Sequence, residues 1–217
     1  MDFWHVLNRG VEKRSIVQDN RDRVRFVQCL YYMNDERSSE NAVRDMGDLA
    51  LGTEDDRERL VTVHAWCLMG NHYHLLLSEN TDGGIGQYTR KLNIGYTHYF
   101  NLKYERSGVL FQGKTKRVPI TSERQFLYIM PYIHLNPLDF HKETQDWRRQ
   151  CVAKPTSALE HITAYRWSSY RNYAGESESA PILAGSELYA DREAHVQTLK
   201  HFLRHAPEPD VDKLTLE

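Results

Sequence analysis

A short segment with two histidines constrains this chain more than any other part of its sequence. In residues 69–77 a Gly-Asn pair is followed by His72, Tyr73 and His74 and then by three leucines. The largely apolar run 61–69 leads into Gly-Asn, which is typical of a tight turn, so we predict a β-hairpin whose second strand opens at His72. Because side chains two apart on a strand point to the same face, the two histidines are expected to share one face of a sheet.

Two imidazoles on one face supply half of a metal site, although two hydrogen-bonded histidines on a half-buried strand fit the same pattern. A second cluster favours the metal site. Residues 128–137 are typical of the end of a helix, where Tyr132 and Asn136 lie on one face because they are four apart. An amide oxygen suits a hard ion such as Mg²⁺ or Mn²⁺, and a nearby cation favours the phenolate of a tyrosine. Together these residues predict covalent attack by a tyrosine on a phosphodiester.

Several motifs, in the same order, resemble those of the HUH single-tyrosine transposases. The resemblance is to the branch called REP-associated tyrosine transposases, which carry an insertion-sequence-200-like domain, and it extends over most of the chain. The motifs that carry it lie at residues 5–10, 65–69, 71–77, 106–113, 132–137 and 167–170.

This resemblance implies an α+β fold of the ferredoxin-like or RRM-like type, with a four-stranded antiparallel sheet, helices on one face and a C-terminal helical extension. It implies a metal-dependent endonuclease and strand-transferase that acts on single-stranded hairpin or palindromic DNA. Such an enzyme passes through a covalent 5′-phosphotyrosine and releases a free 3′-hydroxyl. Whether the site lies within a monomer or is shared in a homodimer is left open.

The roles of individual residues follow from the same resemblance. His72 and His74 match the paired ligands of Mg²⁺ or Mn²⁺, and Asn136 matches the third, polar ligand. Tyr132 matches the nucleophile, and Tyr128, one helical turn earlier, is its rival.

The sequence departs from the family pattern after Asn136. Where the pattern has a short basic turn ending in glycine, residues 138–141 read Leu-Asp-Phe-His and lead into a long insertion at about 139–164. We expect this insertion to alter how the tyrosine helix is held. Pro131 lacks a backbone donor and disfavours helical geometry at the residue before it, so we also predict a broken helix whose second segment starts at Tyr132.

The formal net charge of −2 is unusual for a DNA-binding protein, so any attraction to DNA must be local. Between Thr89 and Arg117 there are seven basic residues and one acid, interleaved with aromatic residues. Basic groups neutralise phosphates and rings stack on unpaired bases, but the rings also fit the core stripe of an amphipathic helix. The predicted DNA contacts are Arg9, Arg90, Lys91, Lys103, Arg106, Lys114, Lys116 and Arg117.

Hydrophobic periodicity predicts the order strand-helix-strand-strand-helix-strand, which is the ferredoxin-like order. The predicted elements are a strand at 3–8, a helix at about 20–34, the histidine hairpin, a helix at 84–102, a strand near 114–120 and a helix opened by Ser122.

The domain prediction has three parts. A nuclease domain spans 1–137 and contains an acidic insertion at about 35–59. An extension at 138–205 packs on this domain and ends in an amphipathic helix at 191–205, and a disordered acidic tail covers 206–217.

The expected location is the cytoplasm. Cys29, Cys67 and Cys151 form no C-x-x-C pair, which favours a reducing compartment. The sequence has neither an N-terminal apolar signal nor an apolar run of ~18 residues, so no membrane partner is expected.

Two other functions fit the same residues. A catalytically silent, domesticated protein would bind structured single strands equally well with His72 and His74 replaced by alanine. A metal-dependent phosphodiesterase would use water as the nucleophile in place of Tyr132, and it would form no protein adduct.

Overall fold

The computed structural model describes residues 2–37, 57–149, 151–175, 182 and 192–205. In the first part of the described chain, strands and helices follow one another as β1 (Phe3–Arg9), α1 (Asn20–Tyr32), β2 (Val61–Leu68), β3 (His72–Glu79), α2 (Gly84–Lys103) and β4 (Lys116–Ile120). The second part is helical and consists of α3 (Glu123–Leu135), α4 (Pro155–Ala164), α5 (Tyr170–Tyr173) and α6 (Arg192–Arg204). A 3-10 turn over Asn136–Phe140 follows α3 directly.

The four strands form one antiparallel sheet in the order β2-β3-β1-β4. With α1 and α2 as the connections, this is the ferredoxin-like topology, so the predicted fold class is confirmed. Helices α1 and α2 share an apolar core with one face of the sheet. The opposite face packs against α3 and the C-terminal helices in a second core, so the expectation of helices on one face holds for α1 and α2 but not for α3. The central strands β1 and β3 are therefore covered on both sides, which places their polar side chains in the protein interior.

A β-bulge in β2 determines which of its side chains belong to each core. The pairing with β3 shifts between Val63 and Ala65, so His64 is an extra residue in the ladder. Val63 therefore packs with α1 and α2, whereas Ala65 and Cys67 pack with α3 on the other face. The imidazole of His64 is buried and hydrogen-bonds to the Ser78 hydroxyl on β3 at 2.8 Å, which compensates for its burial.

A charged cluster ties the start of α1 to the end of α2. Asp19 and Asp22 form a capping box on α1, and the Lys103 ammonium lies 2.8 Å from Asp19 Oδ2 and 2.6 Å from Asp22 Oδ1. The hydroxyls of Tyr99 and Tyr104 also donate to Asp22, at 3.0 and 2.7 Å. Burial alone would raise the pKa of Asp22, but the hydrogen bonds from Lys103 and its neighbours lower this pKa below its ordinary value.

The predicted break at Pro131 is wrong, because α3 runs without interruption from Glu123 to Leu135. A proline at this position leaves the carbonyl of Leu127 without its helical donor, and Leu127 is exposed, so this side of α3 is open to water. Burial of Met130 and Tyr132 on either side of the proline then offsets its cost. The prediction that Ser122 opens this helix is confirmed, since its hydroxyl accepts from the backbone N–H of Gln125 at 3.2 Å.

The C-terminal helices are joined to the sheet by buried polar contacts. The hydroxyl of Ser169 accepts from the backbone N–H of Trp66 on β2 at 2.9 Å, and it hydrogen-bonds to His134 Nε2 on α3 at 2.8 Å. The other nitrogen of His134 lies 2.9 Å from His195 Nε2 on α6. Sheet, α3 and α6 are thus connected through one chain of hydrogen bonds, all of it buried.

Parts of the predicted domain organisation lie outside the described residues, namely 38–56 of the acidic insertion and the acidic tail at 206–217. The predicted amphipathic helix at 191–205 is observed as α6, which packs on α3 and α4. Among the described helices, none has both the length and the apolar composition needed to span a bilayer.

We expect the protein to lose stability in mild acid because of His195. Burial lowers the pKa of His195 to about 4 from 6.5, and among the described residues the titratable groups His134, Tyr170 and Tyr173 face it. As pH falls below 6.5 the unfolded chain takes up a proton here and the folded chain does not, so the free energy of unfolding falls until about pH 4. Between about pH 7 and about pH 4.5 this single group is expected to remove roughly 2 kcal/mol.

Urea unfolding at both pH values measures this loss. His195→Gln should weaken the pH dependence, whereas His98→Gln, at an exposed position of α2, should leave it unchanged. Equal pH dependence in the wild type and His195→Gln would contradict the prediction.

Replacing Lys103 should destabilise the fold. Lys103→Gln leaves the carboxylate of Asp22, whose side chain is 0% exposed, without its cation, and we expect a loss of roughly 3 kcal/mol in the free energy of unfolding. Lys114→Gln makes the same change at an exposed loop position and serves as the control in the same denaturation series. Similar stabilities for the two variants would show that the cluster does not hold α1 to α2.

Candidate active site

The two histidines of β3 share one face of the sheet, as predicted. Their rings meet edge to face with centroids 4.8 Å apart, and His72 is 6% exposed while His74 is 0% exposed. Tyr73 between them points to the opposite face, where its hydroxyl donates to Asn93 of α2 at 2.9 Å. Burial raises the pKa of Tyr73, so its phenol stays protonated and acts as a structural donor.

A third histidine, His5, joins the pair from the neighbouring strand. In the β1–β3 register Leu7 lies opposite His74, and His5 is therefore its diagonal neighbour on the same face. His5 Nε2 is 2.9 Å from His74 Nδ1, and the two rings stack with centroids 5.2 Å apart. This contact fixes the orientation of the His74 ring and directs its Nε2 away from β1.

The orientation of His72 is set by Asn71 in the hairpin turn. The side-chain amide of Asn71 donates to the Lys13 carbonyl at 3.1 Å, which assigns its oxygen as the acceptor of the 2.6 Å bond from His72 Nδ1. His72 therefore carries its proton on Nδ1 and its lone pair on Nε2. The Nε2 atoms of His72 and His74 are both buried.

Tyr132 of α3 lies against this histidine cluster. Its ring is edge-on to His74 at 5.7 Å between centroids and to His5 at 5.8 Å. Its side chain is 0% exposed, and its hydroxyl is shielded from solvent. The rival Tyr128 stacks on the far side of Tyr132 at 5.8 Å and contacts Phe202 of α6. Of these two tyrosines, Tyr132 is the one in ring contact with the histidines.

Asn136 lies one turn after Tyr132, in the 3-10 turn, and its amide makes two hydrogen bonds. The amide nitrogen donates to the Tyr132 carbonyl at 2.8 Å, and the amide oxygen accepts from Arg148 Nη2 at 2.6 Å. Asn136 is fully buried. The oxygen predicted as a metal ligand is thus in contact with a guanidinium group.

Residues of the insertion after α3 cover the tyrosine. The Trp147 ring packs on Tyr132 at 5.8 Å between centroids, and the Arg148 guanidinium carbon lies 5.4 Å from the Tyr132 centroid. Asp139 holds both covering residues, accepting from Trp147 Nε1 at 2.9 Å and forming an ion pair with Arg148. The insertion therefore covers the face of α3 that carries Tyr132, and we call these two residues the Trp147–Arg148 cover.

The donor atoms fit part of a metal site. Two imidazole Nε2 atoms on one face suit a divalent ion, and each ring is held by a neighbour at Nδ1, as is typical of metal-binding histidines. Within the described ranges, no group of three or more His, Cys, Asp or Glu side chains is placed to hold a metal ion. The Asn136 oxygen, predicted as the third ligand, faces the positive charge of Arg148, which disfavours a cation there while that contact lasts.

Several of the predicted DNA contacts are used within the protein. Lys91 Nζ donates to the carbonyls of Asp35 and Glu36 at 2.8 and 3.0 Å, and Lys103 belongs to the charged cluster between α1 and α2. Arg106 donates to the Val109 carbonyl at 3.0 Å and to the side-chain oxygen of Asn101 in the last turn of α2.

The other predicted contacts lie on different faces. Arg9 pairs with His72, and Lys116 pairs with Leu7, so both lie on the face that carries the histidines. Arg117 is on the reverse face, where its guanidinium packs over Gly86 of α2. Arg90 and Lys114 are exposed, on α2 and on the loop before β4. The structure thus brings two of the predicted basic residues to the histidine face.

None of the sequence motifs assigns a site role to His5, Trp147 or Arg148. His5 alternates with Leu7 and Arg9 along a predicted strand, so a register for β1 and β3 would have placed it beside His74. No local pattern points to Trp147 and Arg148, because they reach the site only through the path of the insertion.

Comparisons with known proteins find a similarity in fold to a solved structure. No protein-family model matches the sequence, and a comparison with curated proteins finds no match. Among solved structures, the chain is similar to one described as a REP-associated tyrosine transposase bound to a REP hairpin, with a TM-score of 0.52 and 14% identity. The alignment covers 85% of this chain and 86% of that chain, so the similarity is one of overall fold.

Proposed function

We propose that the protein is a metal-dependent endonuclease and strand-transferase that cleaves single-stranded hairpin DNA through a covalent bond to Tyr132. The observation that carries this proposal is the contact of the Tyr132 ring with His74 and His5, beside His72, in one buried cluster. A phenol next to imidazoles that are oriented for a cation is the arrangement that nucleophilic attack by tyrosine needs. The fold similarity to a hairpin-bound tyrosine transposase supports the same substrate class.

His72 and His74 would hold the divalent ion, Mg²⁺ or Mn²⁺, through their Nε2 atoms. When bound, such an ion polarises a phosphate oxygen and offsets the charge that develops in the transition state. His5 and Asn71 hold the two rings in position from behind, which reduces the reorganisation needed to bind the ion. In this arrangement His74 donates its Nδ1 proton to His5 and keeps the lone pair on Nε2.

The chemistry of cleavage follows from the position of Tyr132. Its oxygen forms a bond to phosphorus as the bond from phosphorus to the 3′-oxygen breaks, the phenol gives up its proton, and the leaving oxygen gains one to become a 3′-hydroxyl. Packing of Tyr132 between His74, Tyr128 and Trp147 restricts the ring and favours an in-line approach. Attack by another 3′-hydroxyl on the phosphotyrosine reverses these steps and joins new ends without a nucleotide cofactor.

Arg9 and Lys116 are the basic residues best placed to hold the backbone of bound DNA. Both lie on the histidine face by strand register, and Lys116 is exposed at the edge strand β4. Because Lys91 and Lys103 are engaged inside the protein, we leave them out of the proposed DNA surface.

Tyr132→Phe should abolish the protein–DNA adduct and retain DNA binding, because it removes the attacking oxygen and keeps the ring. Hairpin-forming single strands from the DNA that flanks the gene are incubated with the protein and Mn²⁺ and resolved on a denaturing gel. A label at the 3′ end follows the strand that stays on the protein, and a label at the 5′ end follows the released strand. Tyr128→Phe makes the same change one turn away and is expected to keep the adduct.

The histidine variants separate the alternative functions in the same assay. His72→Ala and His74→Ala should lose metal-dependent cleavage. Cleavage that persists in Tyr132→Phe without any adduct would favour a phosphodiesterase that uses water. Tight hairpin binding without cleavage, unchanged in both histidine variants, would favour a silent binding protein.

Lys116→Gln should weaken hairpin binding in a salt-dependent way. Losing one phosphate contact reduces the slope of log affinity against log salt by roughly one unit. Fluorescence anisotropy over a salt series measures this slope, and Lys154→Gln, at an exposed position that is not among the predicted DNA contacts, is the matched control. If the two variants have equal slopes, β4 does not present a specific phosphate contact at Lys116.

A further inference from the structure

We propose that Arg148 is a positioning residue for the proposed reaction: it holds the Asn136 oxygen in the DNA-free protein and transfers to the scissile phosphate when DNA binds. This inference rests on the proposed function. It adds a residue outside the motifs that predicted the site, and it links the arrival of DNA to completion of the metal site.

Arg148 contacts both Asn136 and Tyr132. Its Nη2 donates to Asn136 Oδ1 at 2.6 Å, and its guanidinium carbon lies 5.4 Å from the centroid of Tyr132. A group at this position is within reach of any phosphate that Tyr132 attacks. Its positive charge also lies against the Asn136 oxygen, so a metal ion at that oxygen is disfavoured while the contact lasts.

Arg148 lies between solvent and Tyr132. Tyr132 and Asn136 are both 0% exposed, whereas the Arg148 side chain above them is 18% exposed. A phosphate approaching from solvent through this cover therefore meets Arg148 before it meets Tyr132. Trp147 is 4% exposed and packs on the same ring, so both covering residues must shift for a strand to enter.

A phosphate group is a better partner for Arg148 than the amide of Asn136. A guanidinium group can bind phosphate through two parallel hydrogen bonds between opposite charges, whereas Arg148 now makes a single bond to the neutral amide of Asn136. Arg148 thus gains by leaving Asn136 for phosphate. Its ion pair with Asp139 can persist during the exchange, because that pair uses Nη1 and the contact with Asn136 uses Nη2.

The exchange has opposite consequences for metal binding and for catalysis. Removing the guanidinium releases the Asn136 oxygen, so metal should bind more tightly before DNA arrives. The same change removes the phosphate contact, so adduct formation should slow. A purely structural arginine would not produce a gain in metal affinity.

Isothermal titration of the DNA-free full chain with Mn²⁺ tests the first consequence. Arg148→Gln is expected to bind Mn²⁺ roughly tenfold more tightly than the wild type, and the double variant Arg148→Gln, Asn136→Ala should lose this gain. Arg149→Gln, at the exposed next position, removes the same charge and should leave the affinity unchanged.

The second consequence is followed by the rate of adduct formation at saturating Mn²⁺. Arg148→Gln should be slower than the wild type, and Arg148→Lys, which keeps the charge and the pairing with Asp139 but loses the planar fork, should recover part of the rate. Arg148→Lys also keeps the inference testable if Arg148→Gln fails to fold. Its Mn²⁺ affinity should exceed that of the wild type, because an ammonium group has no planar pair of donors with which to hold both oxygens.

Failure of this inference differs from failure of the proposed function. If the wild type forms the Tyr132 adduct and neither Arg148 variant changes Mn²⁺ affinity, the exchange is overturned and the nuclease stands. If the wild type forms no adduct under any condition, the proposed function fails, and the exchange fails with it.

Discussion

The hydrogen bond between His5 and His74 is the interaction around which the candidate site is built. Both rings are fully buried, on the central strands of a sheet that is covered on its two faces. An imidazole buried at such a position is costly unless its polar atoms have partners. The two strands provide those partners for each other, and the same contact sets the ring orientation that a metal ligand needs. Stability and site geometry therefore depend on one register between β1 and β3.

The helical layer over the histidine face combines structural and functional constraints. α3 brings Tyr132 to the cluster, and another of its buried polar residues, His134, connects it to Ser169 and to His195 of α6. Tyr132 packs against His74, Tyr128 and Trp147, so its ring is held from several directions. Such packing would suit the in-line attack proposed for Tyr132, and the residues that separate it from solvent belong to the segment after α3.

The sequence predicts the features that local patterns report. Alternation of apolar and polar residues and the Gly-Asn turn identify the strands, and apolar periodicity identifies α1 and α2. The spacing of His72 and His74 places them on one face. Pro131 misled the local interpretation, because a proline that weakens an isolated helix is tolerated where the surrounding side chains are buried. The basic residues show the same limit: composition locates Lys91 and Lys103 in a positive segment, but only the fold reveals that their charges are used internally.

The site's least predictable parts are those that depend on contacts distant in sequence. His5 and His74 are separated by 69 residues, and their pairing exists only once β1 lies beside β3. Arg148 reaches Asn136 because the insertion turns back on itself and Asp139 anchors it there. Such contacts leave no periodic trace in the sequence, since each joins a single residue to a single partner.

The distribution of charge also explains how a chain with a net charge of −2 could bind DNA at this site. The Lys103 ammonium is balanced by Asp19 and Asp22, so it adds little to the field outside the protein. Arg9, Lys116 and Arg148 lie instead on or over the histidine face. At physiological salt the influence of an exposed charge extends only about 8 Å, so a few cations near the site act on a strand that is already close, whatever the net charge of the chain. Attraction over longer distances should then be weak, and selection of DNA would depend on the shape of the hairpin and its contacts at the site rather than on overall electrostatic steering.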